Sequence, residues 1–147
     1  MTRVISPVLF MLLLLPLLAL WLFHPETLII RRNRALPWDV PLPIGLALLI
    51  WARPHFKNQN AEIHTFKKAK ALVTNGPFRF SRNPMYLGFM LILLATAMFV
   101  NTWCALLVPL TFLGASILWY IPHEEQQLRQ SFGTDYDAYA WNTRRWI

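Results

Sequence analysis

The 147-residue sequence predicts an all-α fold: a polytopic membrane helix bundle of about four transmembrane helices, with a cytosolic C-terminal amphipathic segment. Three observations carry that expectation. Apolar residues make up 56% of the chain and charged ones 14%, against roughly 25% charged in ordinary soluble domains, and mean hydropathy is positive at +0.38. Apolar runs recur at close to the length, about 20 residues, that a helix needs to cross the hydrocarbon. The 14 Lys and Arg, against 7 Asp and Glu, collect in some of the loops between those runs. Cytoplasmic loops of membrane proteins gather such residues, so the basic balance calls for a bilayer and for no nucleic acid. The length suits one domain, residues 1–147.

The first run, Val4 to Phe23, is interrupted only by Ser6 and two prolines and predicts a span over 4–23. It exceeds the roughly 7 to 15 apolar residues of a signal peptide and carries no small-x-small cleavage site. A second run, 36–52, follows the basic patch Arg31, Arg32, Arg34. Asp39 and three prolines near its start leave it as a short span or a re-entrant piece. The runs 85–100 and 103–120 are clearer. Pro84 stands at a natural first helical position, and only Asn101 and Thr102 separate the two runs, which dictates a tight antiparallel hairpin. With four spans, eleven Lys and Arg, Arg3 among them, fall on the side of the termini and three on the other. That puts both termini in the cytoplasm, with Trp21, Trp38, Trp51, Trp103, Trp119 and Tyr120 as interfacial anchors.

The polar residues beside the membrane carry the functional signal. Residues 53–84 are basic and contain histidine, and they end in a glycine- and proline-bearing turn directly before a span. On a plain reading Asn75, Gly76 and Pro77 make a turn, and Arg79 and Arg82 reach lipid headgroups. The hairpin, however, returns Arg82 and Tyr86 to the membrane face where Glu124 and Glu125 emerge. A pocket with both signs of charge, backed by apolar helices, suits a zwitterionic small molecule together with a lipid-like substrate. The tail adds Tyr136, Tyr139, Trp141 and Trp146 among charges, an amphipathic segment for the interface. Tyr136 and Tyr139 share a helical face and are expected to roof the pocket. His24, His55, His64 and His123 lack metal-ligand spacing, and Cys104, inside an apolar run, is expected to be buried, so no metal site is expected. No phosphate loop or nucleophile elbow is present.

The series Gly76, Pro77, Phe78, Arg79, then Arg82, Asn83, Pro84, Met85, Tyr86 and Gly88, then Glu124, Glu125, Leu128, Phe132, Gly133, Tyr136, Tyr139, Arg145 and Trp146 resembles the isoprenylcysteine carboxyl methyltransferase family. Related phospholipid N-methyltransferases share the paired glutamate. The resemblance covers about half the chain, from Leu72 to the end. It implies a multi-pass integral membrane enzyme of a bacterial or archaeal cell membrane. Such an enzyme binds S-adenosylmethionine from the cytosol and methylates a carboxylate, thiol or amine of a lipophilic acceptor, whether a small molecule or a prenylated or lipid one.

Residue by residue, the resemblance implies a cofactor site built from 70–88 and 123–146. Leu72, Val73, Thr74 and Gly76 would contact the cofactor largely through backbone. Tyr86 and Asn83 would join them, Asn83 replacing the family's histidine, which keeps hydrogen bonding and loses titration. Glu124 and Glu125 would meet the cofactor's ammonium or ribose hydroxyls. Arg82 and Glu125 form the catalytic pair it implies, Glu125 being the nearest base if the acceptor is an amine. Tyr136, Tyr139, Arg145 and Trp146 would face the acceptor, although Asn142 and Arg144 stand where the family carries a basic residue and a proline. A different class of reading is a non-enzymatic membrane scaffold that binds anionic lipid through its loop arginines and Lys67, Lys68 and Lys70.

Overall fold

The computed structural model describes residues 6–23, 39–58 and 72–147, and among these all regular structure is helical. The elements are α1 (Ser6–Phe23), α2 (Pro41–Asn58), a 3-10 turn (Gly76–Arg79), α3 (Pro84–Val100), a 3-10 turn (Trp103–Leu106), α4 (Leu107–Ala115), a π-turn (Ser116–Tyr120), α5 (Ile121–Phe132) and α6 (Thr134–Asn142). The expectations for Arg3, His24, Arg31, Arg32, Arg34, Trp38, His64, Lys67, Lys68 and Lys70 concern residues outside the described ones.

Two helices do not share the bounds of the expected spans. The helix expected over 36–52 runs from Pro41 to Asn58 instead, after a turn at Asp39 and Val40. Pro41 and Pro43 occupy the first turn, where their missing N–H groups have no intrahelical partner to lose, and Pro54 is carried inside the helix. The other is that of the last expected span, whose helix does not stop at Tyr120. Trp103–Phe132 is one continuous helix of 30 residues, and among the described residues it alone is long and apolar enough to cross a membrane. The π-turn Ser116–Tyr120 lies directly before Pro122, whose ring and missing N–H disrupt the regular ladder to the carbonyl four residues back. Glu124 and Glu125 therefore ride on the same rod as Phe112.

The hairpin forms as expected. Asn101 closes α3 in the left-handed conformation (φ 58°, ψ 36°), its N–H donating to the Ala97 carbonyl at 3.0 Å, and Thr102 is extended. Cys104, expected to be buried, is exposed, because it lies on the outer side of the hairpin's 3-10 turn while Ala105 points inward. One core unites Phe10 and Leu17 of α1, Tyr86, Phe89 and Leu93 of α3, and Phe112, Tyr120 and Ile121 of the long helix. The Phe89 ring lies 4.7 Å from Phe10 and meets Phe112 edge-on at 6.2 Å. Tyr120, expected as an interfacial anchor, belongs to this core and faces Tyr86 at 6.5 Å. Trp21, Trp51, Trp103 and Trp119 are exposed.

Between α2 and α3 the backbones themselves approach. A Cβ on Gly45 would lie 2.8 Å from the Gly88 carbonyl oxygen, and one on Gly88 would lie 3.0 Å from that of Gly45. Outward, Met11, Leu12, Leu15 and Leu18 of α1 and Leu107, Leu110 and Leu118 of the long helix stand exposed among the described residues.

Candidate functional site

The hairpin sets the start of α3 beside α5, and α6 with the residues after it closes over both. Tyr86, one turn along from Arg82, donates its phenol hydrogen to Glu124 Oε1 at 3.0 Å. Its ring is fixed from behind by Phe112 and Tyr120. Arg82 Nη1 lies 3.2 Å from Glu125 Oε1 and donates to the Tyr136 hydroxyl at 3.4 Å. From the other side Arg145 grips Glu125 with two bonds, Nε to Oε1 at 3.1 Å and Nη2 to Oε2 at 2.7 Å. The Glu125 side chain is only 13% exposed and that of Arg82 15%, whereas that of Arg145 is 43% exposed. Arg82 Nε is buried and finds no hydrogen-bond partner among the described residues.

The tail is tied down through its backbone. The Arg82 N–H donates to the Arg144 carbonyl at 2.9 Å, and Asn83 Nδ2 donates to that of Arg145 at 3.0 Å. Ser81 Oγ contacts the same Arg145 oxygen at 3.5 Å and accepts the Asn83 N–H at 3.1 Å. Gly133 (φ 51°) makes the corner between α5 and α6 in a conformation that costs glycine little, and from there Tyr136 turns inward. Tyr136 is almost fully buried, and Tyr139 donates to the Phe78 carbonyl at 2.7 Å. Trp146 packs on the core, and among the tail aromatics only Trp141 points to solvent. Through its phenols the tail closes over the cluster, and α5 carries the two glutamates beneath it.

Burial, followed by the charge of Glu125, pushes the Tyr136 phenol above its ordinary range, with Arg82 opposing. Burial foremost pushes up Tyr139. Both act as neutral hydrogen-bonding groups near neutrality. The hydrogen bond to Glu125 raises the Arg145 guanidinium further, against a smaller opposing effect of burial.

The expected residues fall into two groups. Arg82, Asn83, Tyr86, Glu124, Glu125, Tyr136 and Arg145 meet in one connected cluster. Leu72, Val73, Thr74 and Gly76 lie on the α2 side, where Val73 packs with Ala52 and Phe78. Tyr139 joins the two groups through Phe78. His55 had no expected role, yet its ring lies over Gly76 where a side chain would otherwise stand. Its Nδ1 donates to the Trp51 carbonyl at 2.9 Å. Nothing in the spacing of residues 55 and 76 announced that contact. Ser81 was missed as well, although a serine two residues before a helix N-cap is a recognisable turn-forming signal.

Residues 42–135 match the family model described as phospholipid methyltransferase. The match spans α2, α3 and the long helix, and with them Arg82, Tyr86, Glu124 and Glu125. No curated protein and no solved structure gives a match.

Proposed function

The chain belongs to the phospholipid methyltransferase family, and on that premise we propose that it is a four-span integral membrane methyltransferase using S-adenosylmethionine. It would methylate a lipophilic acceptor drawn from the bilayer, with its site and both termini in the cytoplasm. One observation carries the reading: Arg82, Glu125 and Arg145 form a mixed-charge cluster at the hairpin's polar end, beside the Tyr86–Glu124 pair. Four spans are supported by the apolar exteriors of α1 and the long helix, and by the close α2–α3 seam. Spans a turn short of the hydrocarbon thickness are accommodated by local thinning.

The residues present fit the cofactor's amino-acid end. Glu125 offers a carboxylate to an ammonium, while the buried Arg82 Nε is a donor in want of an acceptor. Glu124 and Glu125 would hold cationic or hydroxyl groups, with Asn83 and Tyr86 supporting them. Leu72, Val73, Thr74 and Gly76 would contribute backbone from the α2 side. When bound, S-adenosylmethionine supplies an electrophilic methyl group on a sulfonium. The chain's part is to orient and to keep water out, with Phe112, Tyr86 and Tyr120 below and Tyr136 and Tyr139 above. A carboxylate or thiolate acceptor needs no base. An amine must pass a proton to a carboxylate of the pair. Tyr139 and Trp146 border the side from which the acceptor would arrive.

Isothermal titration of the detergent-solubilised protein with S-adenosylhomocysteine tests the reading, followed by transfer of radiolabelled methyl into a bilayer lipid extract. Saturable binding and label in an extractable lipid support it. Folded protein that binds nothing favours the lipid-binding scaffold.

A further inference from the structure

We propose that Arg145 serves the cofactor's α-carboxylate and not the acceptor, and that its grip on Glu125 is the closed form of an amino-acid subsite that opens around a zwitterion. This rests on the methyltransferase reading above. Glu125 already receives three guanidinium contacts, from Arg82 Nη1 and from Arg145 Nε and Nη2. An incoming ammonium has to displace one of these partners. Arg82 is the harder to move, since its side chain is 15% exposed, touches Tyr136 and leaves on a backbone bonded to Arg144. Arg145 is the easier. Its side chain is 43% exposed, and the contacts that hold the residue run through its carbonyl oxygen, to Asn83 and Ser81. The guanidinium can therefore turn away from Glu125 while the tail backbone stays docked.

A guanidinium leaving a carboxylate needs another anion, and planar bidentate pairing to a carboxylate is the arrangement it already adopts on Glu125. A zwitterionic α-amino acid offers both halves of the exchange. Its ammonium takes the place of Arg145 on Glu125, and its carboxylate takes the place of Glu125 on Arg145, close to the unpartnered Arg82 Nε. Each broken charge pair is remade, so opening the subsite leaves no buried charge behind. Asn83 then acts as a positioning residue that fixes the pivot.

Three probes separate the parts: S-adenosylhomocysteine, its decarboxylated analogue, which keeps the ammonium, and 5′-methylthioadenosine, which lacks the amino-acid end. Affinities are measured by titration calorimetry for the wild type, Arg145→Gln and Arg145→Lys. The wild type should prefer S-adenosylhomocysteine over the decarboxylated analogue by about tenfold, the scale of one charge-assisted contact. Arg145→Gln should abolish that preference, Arg145→Lys should restore part of it, and 5′-methylthioadenosine should bind all three proteins alike. An unchanged preference in Arg145→Gln, or an equal loss on all three probes, overturns the proposal and leaves the methyltransferase reading standing. Failure of the wild type to bind any probe overturns both.

Discussion

Two seams meet at the start of α3, and they are built on opposite principles. On one side Gly88 faces Gly45 with carbonyl oxygens where side chains would be. On the other, Arg82, Asn83 and Tyr86 meet Glu124, Glu125 and the tail through hydrogen bonds and ion pairs. On the four-span reading proposed above, α2 and α3 meet within lipid, where there is little hydrophobic drive and close backbone approach supplies the attraction. The apolar seam should therefore respond to volume and hardly at all to charge. The polar seam should respond to single atoms while its volume is unchanged.

Substitution by volume gives the largest effect expected. Gly88→Leu places a branched side chain against the Gly45 carbonyl, a backbone atom that cannot rotate away. Overpacking of this kind costs about 1–3 kcal/mol and more where backbone must move. The thermal denaturation midpoint in detergent should drop sharply, with Gly45→Leu behaving alike. A midpoint within error of the wild type would show that the two helices do not touch there.

Charge gives the next effect, on binding more than on folding. Glu125→Gln preserves size and removes the anion that Arg82 and Arg145 share. Titration should show S-adenosylhomocysteine affinity lower by at least about tenfold, or ~1.4 kcal/mol, while the protein still purifies from the membrane. Unchanged affinity would take Glu125 out of the site. A single hydroxyl ranks below this. Tyr86→Phe keeps the ring between Phe112 and Tyr120 and loses the bond to Glu124. The expected loss is about 1 kcal/mol, seen as a roughly fivefold weaker affinity with the melting curve little altered. A large fall in stability with unaltered affinity would make Tyr86 a packing residue only.

The same contrast explains what the sequence revealed. The hairpin was legible because a two-residue connection admits few geometries. Once it is drawn, the meeting of Arg82 and Tyr86 with Glu124 and Glu125 follows from element lengths alone. The bounds of α2 were not legible, since three prolines in an apolar run mark a start without saying which of them begins the helix. Nor was the continuation past Tyr120, because the π-turn that carries the chain past Pro122 leaves no signature in hydropathy. The Gly45–Gly88 contact and the ring of His55 over Gly76 depend on how separate helices dock, which local pattern does not encode. Arg145 was a candidate through the resemblance alone, and its hold on Glu125 was not legible. The tail's path back over Asn83 is set by backbone hydrogen bonds, which any sequence can make.

The smallest effect concerns the hinge between the two seams, where Tyr139 links the tail to Phe78. Tyr139→Phe removes one hydrogen bond and should loosen the tail by about 0.5–1 kcal/mol, read as faster limited proteolysis after α6 at neutral pH. Burial raises the Tyr139 phenol above its ordinary value of 10.0. A group raised in the folded state contributes its full stability below the unfolded value and loses it as pH climbs through the folded one. The advantage of the wild type over Tyr139→Phe should thus stay level from neutrality to about pH 10 and decline only beyond it. Tyr136, raised in the same direction, remains in both proteins and cancels in the comparison. An advantage that stays level through about pH 11 would mean a phenol that titrates alike in the folded and unfolded chain, and the tail would then not be docked over the site.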